Sequence, residues 1–221
     1  MNQVFFKVLI ISILCIIYSN AQYHPPIQNY PPDVYKAGNQ NWNISEDDYN
    51  RTYVANNFGL LEYDGLRWTL HPTPDGSIMR SVFVKNNIVY TGAYMDFGYW
   101  LRNENGSLAY TSLADTVGFQ TIEDEQFWNI FSHKQYILFQ SLNRLVIYNQ
   151  QSNTLKTYNS EYGILDAFVN DEEIYFQDNN RTLFKIENEK SLVYLSAAAL
   201  NQNQVVGLTN SSAGQLIVTR E

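Results

Sequence analysis

Three histidines, scattered serines and four isolated aspartates are the groups with which this chain could do chemistry, and their spacing restricts what that chemistry is. His24 falls in a proline-rich stretch, His71 directly precedes Pro72 and His133 adjoins Lys134. No two of them share the spacing of a metal-binding pair, so each reads as a solvated or capping histidine and no metal site is expected. No serine sits in a Gly-x-Ser-x-Gly elbow, and no glycine-rich loop is patterned to cradle a phosphate. Asp75, Asp96, Asp166 and Asp178 are the carboxylates on which acid–base work at a glycosidic bond would draw. Asp75-Gly76 and Asp178-Asn179-Asn180 read as turns, and Asp96 stands in an aromatic loop. No catalytic residue and no cofactor is assigned; binding is the better use of these side chains.

Composition narrows the classes further. The 221 residues are 45% hydrophobic, 15% aromatic and only 16% charged, which is enough apolar material for a packed core and excludes disordered, collagenous and coiled-coil classes. With 14 basic against 22 acidic side chains the formal charge is -8, so the surface repels phosphate backbones and no nucleic acid is expected to bind through this chain. Seventeen tyrosines favour strands over helices.

Met1 to Ala21 has the pattern of a secretory leader: Lys7, the apolar run Val8 to Ile17, then Ser19-Asn20-Ala21 with small residues for cleavage after Ala21. A run of about ten residues is short against the roughly 30 Å of a hydrocarbon core, which argues for cleavage rather than anchoring. Export to the periplasmic side of a bacterial inner membrane follows. Cleavage removes Lys7 and Cys15, leaving 13 basic residues, a formal charge of -9 and no cysteine. An exported chain without disulfides must be held by a large regular core.

The elements that position the remaining side chains repeat. Residues 22–40 hold four of the six prolines and read as an extended lead-in. From Asn41 onward, strand-like runs come in fours, separated by Gly, Asn and Asp. Trp42-Asn43-Ile44-Ser45 is echoed by Trp128-Asn129-Ile130-Phe131-Ser132, 86 residues later, and Leu61-Glu62-Tyr63 by Val146-Ile147-Tyr148, 85 later. Two strands sharing one offset indicate a repeated unit of about 43 residues. Four-stranded units at this period predict an all-β fold, a β-propeller of antiparallel blades, in preference to a sandwich. The blades fall at about 41–74, 75–114, 115–160, 161–200 and 201–221, with the last only half complete. A ring needs a whole number of blades, so the expectation is the N-terminal part of a longer product.

Connections in such blades alternate between two rims. The rim carrying the links from second to third strand and between blades holds Asn57, Phe58, His71, Asp75, Tyr94, Asp96, Phe97, Asn143, Tyr162, Asp178 and Asn179. Aromatic plates beside amides and carboxylates suit a sugar or another polar ring, so Asn57, Phe58, His71, Tyr94, Asp96, Phe97, Asn143 and Asp178 are the candidate ligand residues and a glycan fragment the candidate ligand. The opposite rim, with runs such as Glu46-Asp47-Asp48 and Asp171-Glu172-Glu173, reads as a solvated face. Structural roles are expected for Gly59 after a turn, for Gly65 in an Asp64-Gly65 two-residue hairpin, for Tyr63, which with Leu61 would pack between blades, and for Trp68 and Tyr148. Trp42 and Trp128, on equivalent innermost strands, are expected as wedges between blades.

One tract adds a resemblance. Asp33-Val34-Tyr35-Lys36-Ala37-Gly38-Asn39-Gln40-Asn41-Trp42-Asn43-Ile44-Ser45, followed by Tyr53 to Gly65 and by Trp68, resembles the start of the two-component-regulator propeller proteins of Bacteroidetes, especially the flavobacterial triple tyrosine motif regulators with a LuxR-type helix-turn-helix and the hybrid two-component sensors. The later blades match only as generic propeller. The resemblance implies a periplasmic sensor ring joined to a small β-sandwich, one membrane helix, a coiled coil and a DNA-binding or kinase output, with the complete protein a dimer. Residues 22–221 contain no second hydrophobic span, basic helix-turn-helix or kinase box, so output and membrane attachment belong to further segments. The alternatives are a carbohydrate-binding or glycoside-active secreted propeller, and a protein-binding scaffold.

Overall fold

The computed structural model describes residues 27–212 and 214–221. The leader, its cleavage after Ala21, and His24 lie outside the described residues. Runs of β-branched and aromatic residues closed by Asn, Asp and Gly fold into consecutive meanders, each an antiparallel sheet whose strands neighbour in chain order. The first holds β1 (Asn41–Glu46), β2 (Thr52–Asn56), β3 (Gly59–Tyr63) and β4 (Trp68–His71). The second holds β5 (Met79–Lys85), β6 (Ile88–Ala93), β7 (Phe97–Arg102) and β8 (Leu108–Ser112), and the third β9 (Phe127–His133), β10 (Tyr136–Ser141), β11 (Arg144–Asn149) and β12 (Thr154–Asn159). The fourth holds β13 (Ile164–Asn170), β14 (Glu173–Asp178), β15 (Leu183–Glu187) and β16 (Lys190–Leu195), and a pair, β17 (Gln204–Ser211) and β18 (Gly214–Arg220), completes the described chain. These are propeller blades, four complete and one of two strands.

Packing explains the repeat. Each gap between neighbouring sheets holds its own core: Tyr53, Leu60, Met79, Val89 and Trp100 between blades one and two; Tyr90, Phe97, Phe127, Phe139 and Tyr148 between two and three. Leu138, Leu145, Ile147, Ile164 and Phe176 fill the next gap, and Tyr175, Leu183, Leu200 and Val205 the last. A middle strand therefore buries both faces, and β6, β10 and β14 carry near-continuous buried runs where a one-sided sheet would alternate. No blade can cover these faces alone, so stacking supplies the hydrophobic stabilisation.

Local chemistry sets the turns. Asn86 and Asn87, with φ of 51° and 60°, make the two-residue connection of β5 to β6, which fits the right-handed strand twist. Asp64-Gly65 does not form the expected two-residue hairpin: β3 and β4 are joined through residues 64–67, because the Asp64 carboxylate accepts the Leu66 and Arg67 amides, both at 2.9 Å, and widens the loop. Gly59 has φ of +137°, and a Cβ there would lie 2.9 Å from Pro72 Cα, so only glycine fits. Two short helices depart from the all-strand expectation. Within the lead-in, α1 (Pro32–Tyr35) starts on a proline whose missing N–H costs nothing at a helix start, and α2 (Leu113–Val117) is capped by the Ser112 hydroxyl, which accepts the Asp115 amide at 3.0 Å.

Tyr63 stacks on Trp68 with centroids 4.9 Å apart, and Trp68 lies 6.0 Å from Tyr35, so this aromatic group fastens α1 to the outer strand of the first blade. Tyr148 is buried in the gap between blades two and three and its hydroxyl meets Asn153 Oδ1 at 2.9 Å.

Candidate functional site

One feature recurs at the start of every innermost strand. The pairing of β1 with β2 skips Trp42, of β5 with β6 skips Arg80, of β9 with β10 skips Trp128, of β13 with β14 skips Leu165, and of β17 with β18 skips Val206. Each is a β-bulge at the same level, and a bulge turns the extra residue out of the alternation its strand otherwise follows. The residues just before the last four, Met79, Phe127, Ile164 and Val205, are fully buried, so the bulge is fixed by an anchor in the gap beside it.

The first three bulges meet. Trp42 and Trp128 come from blades that are not neighbours, yet their rings lie 5.6 Å apart at 78°, in contact on the inner side of the second blade. The Arg80 guanidinium stands over both, 4.3 Å from the Trp42 ring and 4.7 Å from the Trp128 ring. This corrects the expectation that the two tryptophans are wedges between blades: Trp42 is 41% exposed and both rings flank a cation.

Amides hold the group in place. Trp42 Nε1 donates to Asn57 Oδ1 at 2.7 Å, and Asn57 Nδ2 to Gln40 Oε1 at 2.6 Å; Arg80 Nε donates to Gln126 Oε1 at 2.6 Å. Gln126 pairs in turn with Tyr94, whose hydroxyl donates to Asp124 Oδ1 at 2.6 Å, a bond that pushes the Tyr94 phenol above its usual range. The segment carrying Asp124 and Gln126 is fixed by Glu125, which is 1% exposed. Its carboxylate receives Arg144 Nη2 at 2.6 Å and Nε at 2.9 Å, Ser141 Oγ at 2.7 Å and the Ile122 amide at 3.0 Å. Burial pushes the Glu125 carboxyl up, but the Arg144 and Ile122 bonds outweigh it and hold it below the usual carboxylate range.

Of the residues expected on this rim, Asn57 and Tyr94 join the cluster through these bonds, and Phe58 is exposed beside Asn57. Four others are drawn into the scaffold. Phe97 is fully buried, 4.6 Å from Phe127 and 4.8 Å from Phe139, because it is the first residue of β7 and not the last of a loop. His71 Nε2 meets Glu62 Oε2 at 2.9 Å on the neighbouring strand of its own blade, and it is Glu62 that ties blades together by also taking Arg102 from the next. Asp96 receives Tyr110 Oη and Ser112 Oγ, both at 2.7 Å; burial pushes its carboxyl up against those bonds. Asp178 is 2% exposed and receives Ser160 Oγ at 2.8 Å and the Thr182 amide at 2.9 Å. Asn143 stands apart from the cluster, lining a cavity of about 290 Å³ with Arg144 and Ser160. Asp75 is bonded by the Ser77 amide at 3.1 Å and Asp166 by the Ala167 amide at 2.9 Å, so each of the four aspartates weighed for acid–base work serves local backbone or side-chain bonds.

A larger cleft, about 470 Å³, opens on the opposite rim between blades three and four, over Tyr136, Tyr158, Ile174 and Ile186. Ion pairs Lys134–Glu172 at 2.9 Å and Lys156–Glu189 at 2.8 Å bridge its mouth. His133 lines it as the last residue of β9 and is buried, not solvated; burial and the Lys134 charge push its pKa down. That rim is therefore more than a solvated face. Among the described residues no group of three or more His, Cys, Asp or Glu could hold a metal ion, and no helix is long and apolar enough to cross a membrane.

No protein-family model matches the chain, and no curated protein sequence does. Solved structures share its fold. The extracellular domain of a putative one-component system from B. thetaiotaomicron aligns with a TM-score of 0.56 at 17% identity, over 83% of this chain and 26% of that one. The extracellular domain of a putative hybrid two-component system from the same organism aligns with a TM-score of 0.52 at 17% identity, over 80% of this chain and 24% of the other. A protein of unknown function from Bacteroides caccae aligns with a TM-score of 0.52 at 12% identity, over 80% of this chain and 70% of that protein. The chain spans about a quarter of the length of the first two. At these identities the likeness shows the fold alone.

Proposed function

We propose that this chain is the ligand-sensing propeller of an exported, membrane-spanning regulator, and that it senses a small polar ring, a glycan fragment, at the cluster of Trp42, Arg80 and Trp128. The single observation that carries the reading is the placement of these three side chains by register-matched bulges on three successive inner strands. A core has no need to turn two indoles out of its gaps, whereas an indole face beside amides is what a sugar ring stacks and bonds upon. The opening tract that resembles the Bacteroidetes sensors runs into Trp42, and the fold shared with extracellular domains of bacterial regulators agrees with that setting.

Sensing requires that the ligand bind one arrangement of the regulator more tightly than another, since equal affinity shifts nothing. The test is a titration of the full-length protein with a panel of oligosaccharides, followed by tryptophan fluorescence and by melting temperature. A binder should change the fluorescence of Trp42 and Trp128, and Trp42→Ala should weaken it at least tenfold with little loss of stability, because Trp42 is 41% exposed. Binding that survives the Trp42→Ala, Trp128→Ala double substitution refutes the site.

A further inference from the structure

We infer that the ligand of the bulge cluster carries a negative charge, a carboxylate or sulfate on the stacked ring, and that Arg80 is the residue that reads it. The inference rests on the binding role proposed above and adds the chemistry of what is bound.

Arg80 differs from the arginines that are paired and partly buried. Arg51 pairs with Asp47 at 2.7 Å, Arg144 with Glu125 at 2.6 Å, and Arg102 with Glu62. For Arg80 no carboxylate lies within ion-pair distance among the described residues, although the chain has 22 acidic side chains. Among the described residues its one hydrogen bond goes to a neutral amide, Gln126 Oε1. Its Nη1 is buried and has no acceptor among the described residues, an uncommon state for a donor and an unfavourable one for a charged donor. Nothing in the fold demands this, since a neutral residue could fill the space between the indoles without leaving a donor unmatched.

The arrangement suits an anion. Indoles over a guanidinium take its charge through their faces and leave the N–H groups in its plane for an acceptor; with Nε on Gln126 and Nη1 buried, the nitrogen left to meet a carboxylate or sulfate oxygen is Nη2. The exposed part of Trp42 offers the ring surface beside it. In a chain of net negative charge, one uncompensated cation on the inner side of the second blade is also the place to which an acidic sugar would be drawn.

The test is isothermal titration of the full-length protein with acidic oligosaccharides from pectin, alginate and glycosaminoglycans, each matched with its neutral counterpart, the methyl ester of a uronate or the desulfated form of a sulfate ester. At least one acidic member should bind, at least tenfold more tightly than its neutral counterpart, and its affinity should fall as salt is raised from 50 to 300 mM. The uronate and sulfate arms separate the two sources of charge. Arg80→Gln should abolish the preference while Arg80→Lys retains part of it. If Arg80→Gln does not fold, the matched pairs and the salt series on the unaltered protein still decide. Neutral members binding as tightly as acidic ones overturns the charge inference and leaves the sugar site standing; no binding by any member overturns both.

Discussion

Glu125→Gln removes the carboxylate that anchors the segment bearing Asp124 and Gln126. Glu125 is 1% exposed, and its two oxygens receive both Arg144 contacts, the Ser141 hydroxyl and the Ile122 amide. An amide of the same shape can accept at only one end, so Arg144, whose side chain is 15% exposed, is left as a largely buried charge without its counter-ion. Breaking one side of such a pair costs about 3–5 kcal/mol. In a domain of this length that corresponds to a fall in melting temperature of roughly 6–20 °C. Urea unfolding at pH 7, followed by circular dichroism, measures the loss, and Arg144→Met in the same background should recover much of it because the orphaned charge is then gone. The pH dependence has a definite sign. The folded protein holds the Glu125 carboxyl below its usual range, so its contribution is fully present above the unfolded value of about 4.3 and disappears as pH falls through the lower folded value. The gap between wild type and Glu125→Gln should therefore narrow in acid. A deficit below about 0.5 kcal/mol at pH 7, or a gap that widens in acid, refutes the assignment of this pair as the anchor of the segment bearing Asp124 and Gln126.

Two further substitutions test the scaffold. Phe97→Ala should cost about 3–5 kcal/mol by urea unfolding, because the ring is fully buried among Phe119, Phe127 and Phe139, and Phe97→Leu much less; equal, small effects would return Phe97 to the rim. Gly59→Ala should lower stability by more than about 1 kcal/mol, because φ of +137° is strained for any side chain and the added carbon meets Pro72; an unchanged melting temperature would refute the turn geometry.

The repeat was legible in the sequence because packing imposes it residue by residue. A blade wedged between two others must bury both faces of its middle strands, so apolar runs recur at each β2, β6, β10 and β14, and the 86-residue echo of Trp42 in Trp128 marks equivalent inner strands. Turn chemistry was half legible: Asn and Asp mark where chains reverse, but whether the Asp64 side chain widens the loop depends on the amides it reaches. The short helix α2 was missed because Leu113-Ala114 continues the apolar character of β8, and only the Ser112 cap distinguishes it.

The candidate site was hidden for a sharper reason. Alternation assigns side chains to faces by counting in twos, and a bulge adds one residue, which sends Trp42, Arg80 and Trp128 to a side that counting does not give them. Sequence therefore showed two matching tryptophans and gave no reason to set Arg80 between them, since its distance from each, 38 and 48 residues, follows no fixed period. The same limit misplaced Phe97, His71 and Asp96, whose partners Phe127, Glu62 and Tyr110 stand on other strands. Composition and period by themselves determined an acidic, all-β repeat of four-stranded units, because burial on both faces leaves a periodic trace. Which side chains face the inner wall, which carboxylates are neutralised and which arginines lack a carboxylate partner among the described residues are decided by register and by contacts between blades, which exist only once the blades stand side by side.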